Sequence, residues 1–268
     1  IQGYEGSFHH IVAHRCLGTD IAIHPCATFR EVARQVETGE ADYGVMAVEN
    51  SIAGTILPNL GILHNARVQI VGEYYLHIRQ NLMVLPGVEL GDIVEVQSHP
   101  MALLQCVDFL DAHRWKLVED TALSARHIAE HKLRNAAAIA GDLAAELFGL
   151  EIVVPDIHSI KNNYTRFLLL RPAGQPLPSG ADKASLCFKT DHEHGSLMRV
   201  LRAIENSTIN MTKLQSSPIP SEPWHYMFHI DMEFDSMEEY DRVLADMERN
   251  SQQLHVYGVY KRGISTHS

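Results

Sequence analysis

The sequence predicts an α/β protein of two lobes followed by a ferredoxin-like βαββαβ unit. Three observations carry this reading. Short apolar runs alternate with helical patterns through about the first 170 residues, the rhythm of βα units around a mostly parallel sheet. The stretch Pro172 to Gly180, rich in proline and glycine, reads as a linker. After it, strand and helix patterns recur in the order βαββαβ, which is the ferredoxin-like arrangement. The expected boundaries are 1–171 for the α/β domain, with its second lobe over about 78–158, then 172–182 for the linker and 183–268 for the last domain.

Taken in order, the chain looks extended from Ile1, and Ile21-Ala22-Ile23-His24 reads as a strand. Thr28-Phe29-Arg30-Glu31 has the spacing of a capping box and opens a helix to about Gly39. Tyr43 to Val48 is the next strand and ends in a polar turn. A helix covers Ile56 to Asn65, and Val68 to Val84 is extended and carries the chain into the second lobe. There the pattern gives a strand at Ile93 to Val96, a helix from Pro100 to about Leu110, a strand at Trp115 to Val118, and a helix capped by Asp120 or Thr121. A buried strand at Ala136 to Ala140, a short helix at Gly141 to Phe148 and a strand at Ile152 to Val154 complete the lobe.

Beyond the linker, Ser185 to Lys189 is a strand, and Leu197, Val200, Leu201 and Ile204 mark one face of a helix. Ile209 to Leu214 and Tyr226 to Phe234 are two strands joined by the turn Pro218 to Pro223. Met237, Tyr240, Val243, Leu244 and Met247 stripe a second helix, and Leu254 to Tyr260 is the last strand. Such stripes read as core.

Composition narrows the function. With 46% hydrophobic and 21% charged residues the chain folds into one large or two ordinary domains. A formal charge of −11 with no basic cluster disfavours nucleic-acid binding. No apolar run reaches the roughly 20 residues of a membrane span, and the N-terminus shows no signal pattern, so neither nucleic acid nor membrane is an expected partner. Cys16, Cys26, Cys106 and Cys187 have no CxxC spacing and read as reduced residues of a cytoplasmic protein.

An acidic protein that holds an anion must supply positive potential locally. Glu49-Asn50-Ser51 follows a strand and precedes a helix, with Gly54-Thr55 close behind; Ser98-His99-Pro100 repeats that placement in the second lobe. Each alone is explained by a helix cap. Two polar strand ends, one in each lobe, point to a cleft that holds an anion. Thr165-Arg166 adds a hydroxyl beside a guanidinium at the start of the apolar run Phe167-Leu168-Leu169-Leu170. Arg166 suits either a substrate carboxylate or Glu49, and Thr165 is equally an ordinary strand residue. His192-Glu193-His194 lacks the spacing of a familiar zinc site, and GxGxxG, Walker A and GxSxG patterns are missing, so no metal and no dinucleotide is expected.

Together these motifs resemble the prephenate dehydratase family over essentially the whole chain. The matching segments are Gly3-Tyr4-Glu5-Gly6-Ser7-Phe8, Glu49-Asn50-Ser51-Ile52-Ala53-Gly54, Ser98-His99-Pro100, Asp120-Thr121-Ala122 and Asn163-Tyr164-Thr165-Arg166-Phe167. The C-terminal part is similar to ACT regulatory domains, through Gly195-Ser196-Leu197 and Ile209-Asn210-Met211-Thr212-Lys213. The resemblance implies a two-lobed catalytic domain like type II periplasmic solute-binding proteins, with prephenate in the cleft. It implies conversion to phenylpyruvate, water and carbon dioxide in phenylalanine biosynthesis without a cofactor. The implied catalytic residues are Thr165, as the acid, with Arg166, Glu49 and Asn50; Ser51, Thr55, Ser98, His99 and Phe167 are the implied substrate-binding set.

The resemblance further implies a homodimer or homotetramer whose ACT domains bind L-phenylalanine across subunits near Gly195, Ser196, Leu197 and Asn210. Two departures stand out. Met101 replaces the usual Gln after Ser-His-Pro, so a polar group at that place is either missing or supplied by Gln105. Gln215-Ser216-Ser217-Pro218 stands where Glu-Ser-Arg-Pro is usual, which removes two charges from the effector region. A non-catalytic solute binder and an amino-acid-responsive regulator are the competing readings; Thr165-Arg166 disfavours the first and the missing basic element the second.

Overall fold

The structure, a computed structural model, describes residues 1–119 and 123–263. The expected cap at Asp120 or Thr121 and the Asp120-Thr121-Ala122 match lie outside the described residues. The chain opens with isolated bridges from Gln2 and Gly3 to Cys26. No strand forms over 21–24, contrary to the sequence expectation. Pro25 has no N–H to continue a ladder, so pairing is confined to Cys26, which donates from its N–H to Ile1 O at 2.9 Å.

Helix α1 (Phe8–Leu17) was not anticipated from the sequence; Ser7 caps it, and Gly18 ends it at φ 87°. Helix α2 (Phe29–Glu37) begins at the expected capping box. Thr28 Oγ1 accepts from Glu31 N at 3.2 Å, and the Glu31 carboxylate reaches back to Ala27 N at 3.0 Å. Strands β1 (Gly44–Asn50) and β2 (Gly54–Thr55), helix α3 (Leu57–Asn65) and strand β3 (Val68–His77) follow.

The second lobe contains β4 (Asn81–Val84), β5 (Glu95–Ser98), α4 (Pro100–Gln105), α5 (Val107–Asp111), β6 (Lys116–Glu119), α6 (Ser124–His131), β7 (Ala136–Ala140), α7 (Asp142–Phe148) and β8 (Glu151–Val154). Its strands lie in the order β6-β5-β7-β4-β8. Strand β5 pairs parallel with β6 and β7, whereas β4 runs antiparallel to β7 and β8. The sheet is therefore mixed rather than mostly parallel. Strand β4 is reached from β3 through extended chain instead of a crossover helix, so nothing forces it parallel.

Two local departures bear on the site. Strand β5 starts at Glu95 because a tight turn over Leu90–Asp92 occupies the preceding residues, so Ser98 ends the strand instead of following it. The helix expected over 100–110 breaks at Cys106. Ser159 N takes the Gln105 carbonyl at 2.8 Å, and Ser159 Oγ takes Asp108 N at 3.3 Å, so a distant loop interrupts the helical ladder.

Strand β9 (Tyr164–Pro172) lies between β1 and β3 in a four-stranded sheet of order β2-β1-β9-β3. After the Pro/Gly-rich stretch come β10 (Lys183–Lys189), α8 (Ser196–Glu205), β11 (Asn210–Pro218), β12 (Tyr226–Glu233), α9 (Met237–Arg249) and β13 (Gln253–Tyr260). This antiparallel sheet has the order β11-β12-β10-β13, the ferredoxin-like fold the sequence predicts. Both helical stripes pack with Ala184, Leu186, Phe188, Ile230 and Met232 in one core.

The chain packs as two compact units. One holds Ile1–Val32, Val45–Thr55 and Tyr75–Phe167; the other holds Ala33–Gly44, Ile56–Tyr74 and the chain from Leu168 onward. Within the second unit, the face of the sheet turned away from α8 and α9 is also buried. Gly258 lies against β3 so closely that a Cβ there would sit 2.1 Å from Ile70 O. Beside it, Lys183 Nζ donates to Glu73 Oε1 at 3.0 Å and lies 3.3 Å from Glu233 Oε1, with Lys183 only 3% exposed. Gly263 N donates to the same Glu73 oxygen at 3.0 Å.

Breaking a buried ion pair on one side costs about 3–5 kcal/mol, whereas replacing both partners by apolar residues is often neutral. Lys183→Met is therefore expected to lose about that much unfolding free energy in urea titration, and Lys183→Met with Glu73→Met to recover most of it. A single-variant loss under about 1 kcal/mol would mean that water screens the pair.

Candidate active site

The site is built where β1 ends beside the start of β9. Glu49 and Asn50 close β1 and pair across the hairpin with Thr55 and Gly54. Asn50 Oδ1 accepts from Ile52 N at 3.0 Å and Ala53 N at 2.9 Å, an Asx turn that fixes which way the amide faces. Its Nδ2 is thereby turned to β9, where it meets Asn163 Oδ1 at 2.6 Å, Thr165 Oγ1 at 3.0 Å and Tyr164 O at 3.2 Å. Ser51 stitches the same junction. Its N–H donates to Tyr164 O at 2.8 Å, and its hydroxyl donates to Asn162 O at 3.1 Å while accepting from Tyr164 N at 2.9 Å.

Thr165 and Arg166 are buried, at 9% and 6% exposure. Arg166 Nη1 lies 3.9 Å from Glu49 Oε2, an ion pair on the rim of the same group. Phe167 is core, with its ring edge-on to His9 at 5.0 Å. His9 also accepts from Ala47 N at 3.4 Å; desolvation, with the N-terminal charge adding to it, pushes its pKa down to about 3, so it is neutral. Neither His9 nor Asn163 was assigned a role from sequence. The Asn163 signal was present in the Asn-Tyr-Thr-Arg-Phe segment, whereas His9 depended on the unrecognised helix α1.

Ser98 and His99 stand in the other sheet's lobe. Ser98 Oγ donates to Ile139 O at 2.7 Å, and His99 Nδ1 accepts from Met101 N at 3.2 Å as the cap of α4. Met101 is exposed, and the Gln105 side-chain oxygen accepts from Gln80 Nε2 at 3.1 Å. Glu49, Asn50, Ser51, Thr55, Thr165 and Arg166 are thus one connected group, and Ser98 and His99 are held by bonds within their own lobe.

This motif order and geometry have clear counterparts. The family model for prephenate dehydratase matches residues 1–175. The chain belongs to the prephenate dehydratase family. A bifunctional chorismate mutase/prephenate dehydratase of Buchnera aphidicola is 32% identical over 238 residues, covering 86% of this chain. The chain spans 62% of that relative's length. Among solved structures, the prephenate dehydratase of Arthrobacter aurescens in complex with L-Phe superimposes with a TM-score of 0.84 at 28% identity, covering 98% of this chain and 90% of that one. GqqA, described as a quorum quenching acylase, superimposes with a TM-score of 0.86 at 28% identity over 97% of this chain and 96% of its own.

In the C-terminal unit, Gly195 adopts φ 77° as the cap of α8, and Ser196 Oγ donates to Thr190 Oγ1 at 3.3 Å. Ser196 and Leu197 line a cavity of about 300 Å³ together with His192, His225, Tyr226 and Phe228. Asn210 is elsewhere: it pairs with Glu233, at the opposite end of β12 from Tyr226. At about 3.3 Å per residue this separates it from the cavity by roughly 20 Å within one chain. Ser217, at the departure from Glu-Ser-Arg-Pro, has its hydroxyl 2.8 Å from His229 Nε2, and His229 Nδ1 is 3.0 Å from the Tyr257 hydroxyl.

Burial, then the nearby His64 and Lys213, push the His229 pKa down to about 4 against an opposing pull from Asp231. Between pH about 6.5 and about 4 the unfolded chain takes up this proton and the folded chain does not. Unfolding free energy is therefore full above about 6.5 and falls with acid, by up to roughly 3 kcal/mol from this residue at about 1.4 kcal/mol per pKa unit. Chemical denaturation at a series of pH values is expected to show that fall, and His229→Gln to flatten it; an unchanged slope would remove His229 from the acid response.

Proposed function

We propose that this chain catalyses the decarboxylative dehydration of prephenate to phenylpyruvate, water and carbon dioxide. The observation that carries this reading is the 3.0 Å contact from Asn50 Nδ2 to Thr165 Oγ1. A hydroxyl oxygen that accepts from an amide turns its own hydrogen elsewhere, and the accepted bond makes that hydrogen a better donor. As the ring carboxylate leaves as carbon dioxide, its electron pair moves through the ring and expels the 4-hydroxyl. Thr165 donates to the departing oxygen, and the proton that completes water passes through Thr165 and is replaced from solvent. Aromatisation drives the step, so a weak acid suffices.

Prephenate carries two carboxylates. Arg166 and the helix start at Ser98 and His99 supply the positive potential they need in an acidic protein, and Ser51 and Thr55 shape the strand end beside Arg166. Phe167 backs the site from the core, and Glu49 is organised by Arg166. The likeness to GqqA makes amide hydrolysis the competing chemistry, and that reaction needs a base beside the hydroxyl. The group at Thr165 Oγ1 is an amide donor, which withdraws electron density from the oxygen and favours the dehydratase reading.

We assign residues 1–171 to catalysis, 172–182 to a linker and 183–268 to an ACT regulatory domain. The cavity at Ser196 and Leu197 suits an aromatic effector, and the distance of Asn210 from it is met if a second subunit supplies Asn210, in a homodimer or homotetramer. L-Phenylalanine is the proposed effector and feedback the proposed sense. The four cysteines are free, which fits the cytoplasmic location we assign. Among the described residues no helix is long and apolar enough to cross a membrane.

Positioned acids contribute about 10²–10⁴-fold, so Thr165→Val is expected to lower turnover of prephenate, followed by phenylpyruvate absorbance, by about two orders of magnitude or more. Thr165→Ser retains the hydroxyl and most of the rate. Turnover near wild type in Thr165→Val would remove Thr165 from the mechanism. Calorimetry is expected to show saturable phenylalanine binding that Leu197→Ala weakens; an absence of binding heat across temperatures would sink the effector assignment.

A further inference from the structure

One side chain bonded to the connected group, that of Asn163, has no part in the reaction as described. Asn163 is 1% exposed, and its backbone is held independently of its side chain, since its carbonyl accepts from Ile78 N at 2.7 Å. Its Oδ1 takes the shortest of the three contacts made by Asn50 Nδ2, at 2.6 Å. Its own Nδ2 is buried and, among the described residues, has no hydrogen-bond partner. A residue kept only to fill space would avoid an unsatisfied buried donor, which destabilises the fold. What the amide provides is its acceptor.

Asn50 has two N–H hydrogens for three acceptors. With one hydrogen held by Asn163 Oδ1, the amide plane is fixed at both ends, because the Asx turn already holds its oxygen. The second hydrogen then serves Thr165 Oγ1. Without Asn163 the Asx turn alone holds the amide, the Tyr164 carbonyl at 3.2 Å competes for its hydrogens, and the donor to Thr165 Oγ1 is less closely fixed.

We propose that Asn163 is a positioning residue: it fixes the Asn50 amide so that Asn50 donates to Thr165 Oγ1 and the Thr165 hydrogen is left for the substrate. This rests on the reading of Thr165 as the donor. The test measures kcat and KM with prephenate for Asn163→Ala, Asn163→Asp, Asn50→Ala, the Asn163→Ala/Asn50→Ala double variant and Thr165→Val. Loss of one positioning hydrogen bond corresponds to about a tenfold fall in kcat for Asn163→Ala, with KM changed less than about threefold. Asn163→Asp keeps the Oδ1 acceptor but exchanges the unpartnered nitrogen for a carboxylate oxygen and adds a buried charge, so it recovers part of the lost kcat. In the Asn50→Ala background, Asn163→Ala adds no further loss, because the residue acts through Asn50.

If Asn163→Ala does not fold by circular dichroism, Asn163→Leu fills the volume without the acceptor and carries the comparison. Wild-type kcat in Asn163→Ala alongside an inactive Thr165→Val overturns the role of Asn163 and leaves the Thr165 reading intact. An active Thr165→Val overturns that reading itself. Additive losses in the double variant reduce Asn163 to a structural residue.

Discussion

The return of the chain as β9 between β1 and β3 is the constraint on which the site depends. Asn50 and Thr165 are 115 positions apart in sequence, and only this strand insertion makes them neighbours. The junction is fixed by main-chain bonds on both sides, Ser51 N to Tyr164 O at 2.8 Å and Ile78 N to Asn163 O at 2.7 Å. With the backbone of 163 and 164 anchored twice, the side chains of Asn163, Thr165 and Arg166 need no large motion to be ready. That is the arrangement electrostatic preorganisation requires: polar groups held in place by the fold before any ligand arrives.

The charge pattern follows from the same junction. Asn50, Ser51, Asn163 and Thr165 are neutral, and next to them in the chain Arg166 and Glu49 form an ion pair of 3.9 Å. Neutral donors can be packed tightly without the desolvation cost that buried unpaired charges incur. Within this group the positive charge is the Arg166 guanidinium, already paired with Glu49.

Legibility in the sequence divided along local and non-local lines. The capping box at Thr28, both stripes of the C-terminal helices and the βαββαβ order were readable because each is set by neighbours a few residues away. The break at Cys106 was not, because Ser159 causes it from another segment. The failed strand at 21–24 had its signal in Pro25, which the apolar run Ile21-Ala22-Ile23 outweighed. Thr165, Asn50 and Glu49 were identifiable as residue types at strand ends. The direction of the hydrogen bond at Thr165 was not, since it depends on an amide orientation held by Ile52 and Ala53.

The C-terminal sheet shows how one end of an edge strand can be polar without being charged. Where Glu and Arg are usual, Gln215 and Ser217 leave the last turn of the edge strand β11 uncharged, and the Ser217 hydroxyl is engaged by His229, itself stacked on Tyr257. A fixed guanidinium would offer five donors at every pH. The Ser217–His229–Tyr257 chain instead offers neutral groups whose donor and acceptor roles rearrange together, and it lies in the unit that also holds the Lys183–Glu73 pair. The buried charge of this sheet thus sits at its Lys183 end, while the 215–218 end of β11 carries polarity without charge.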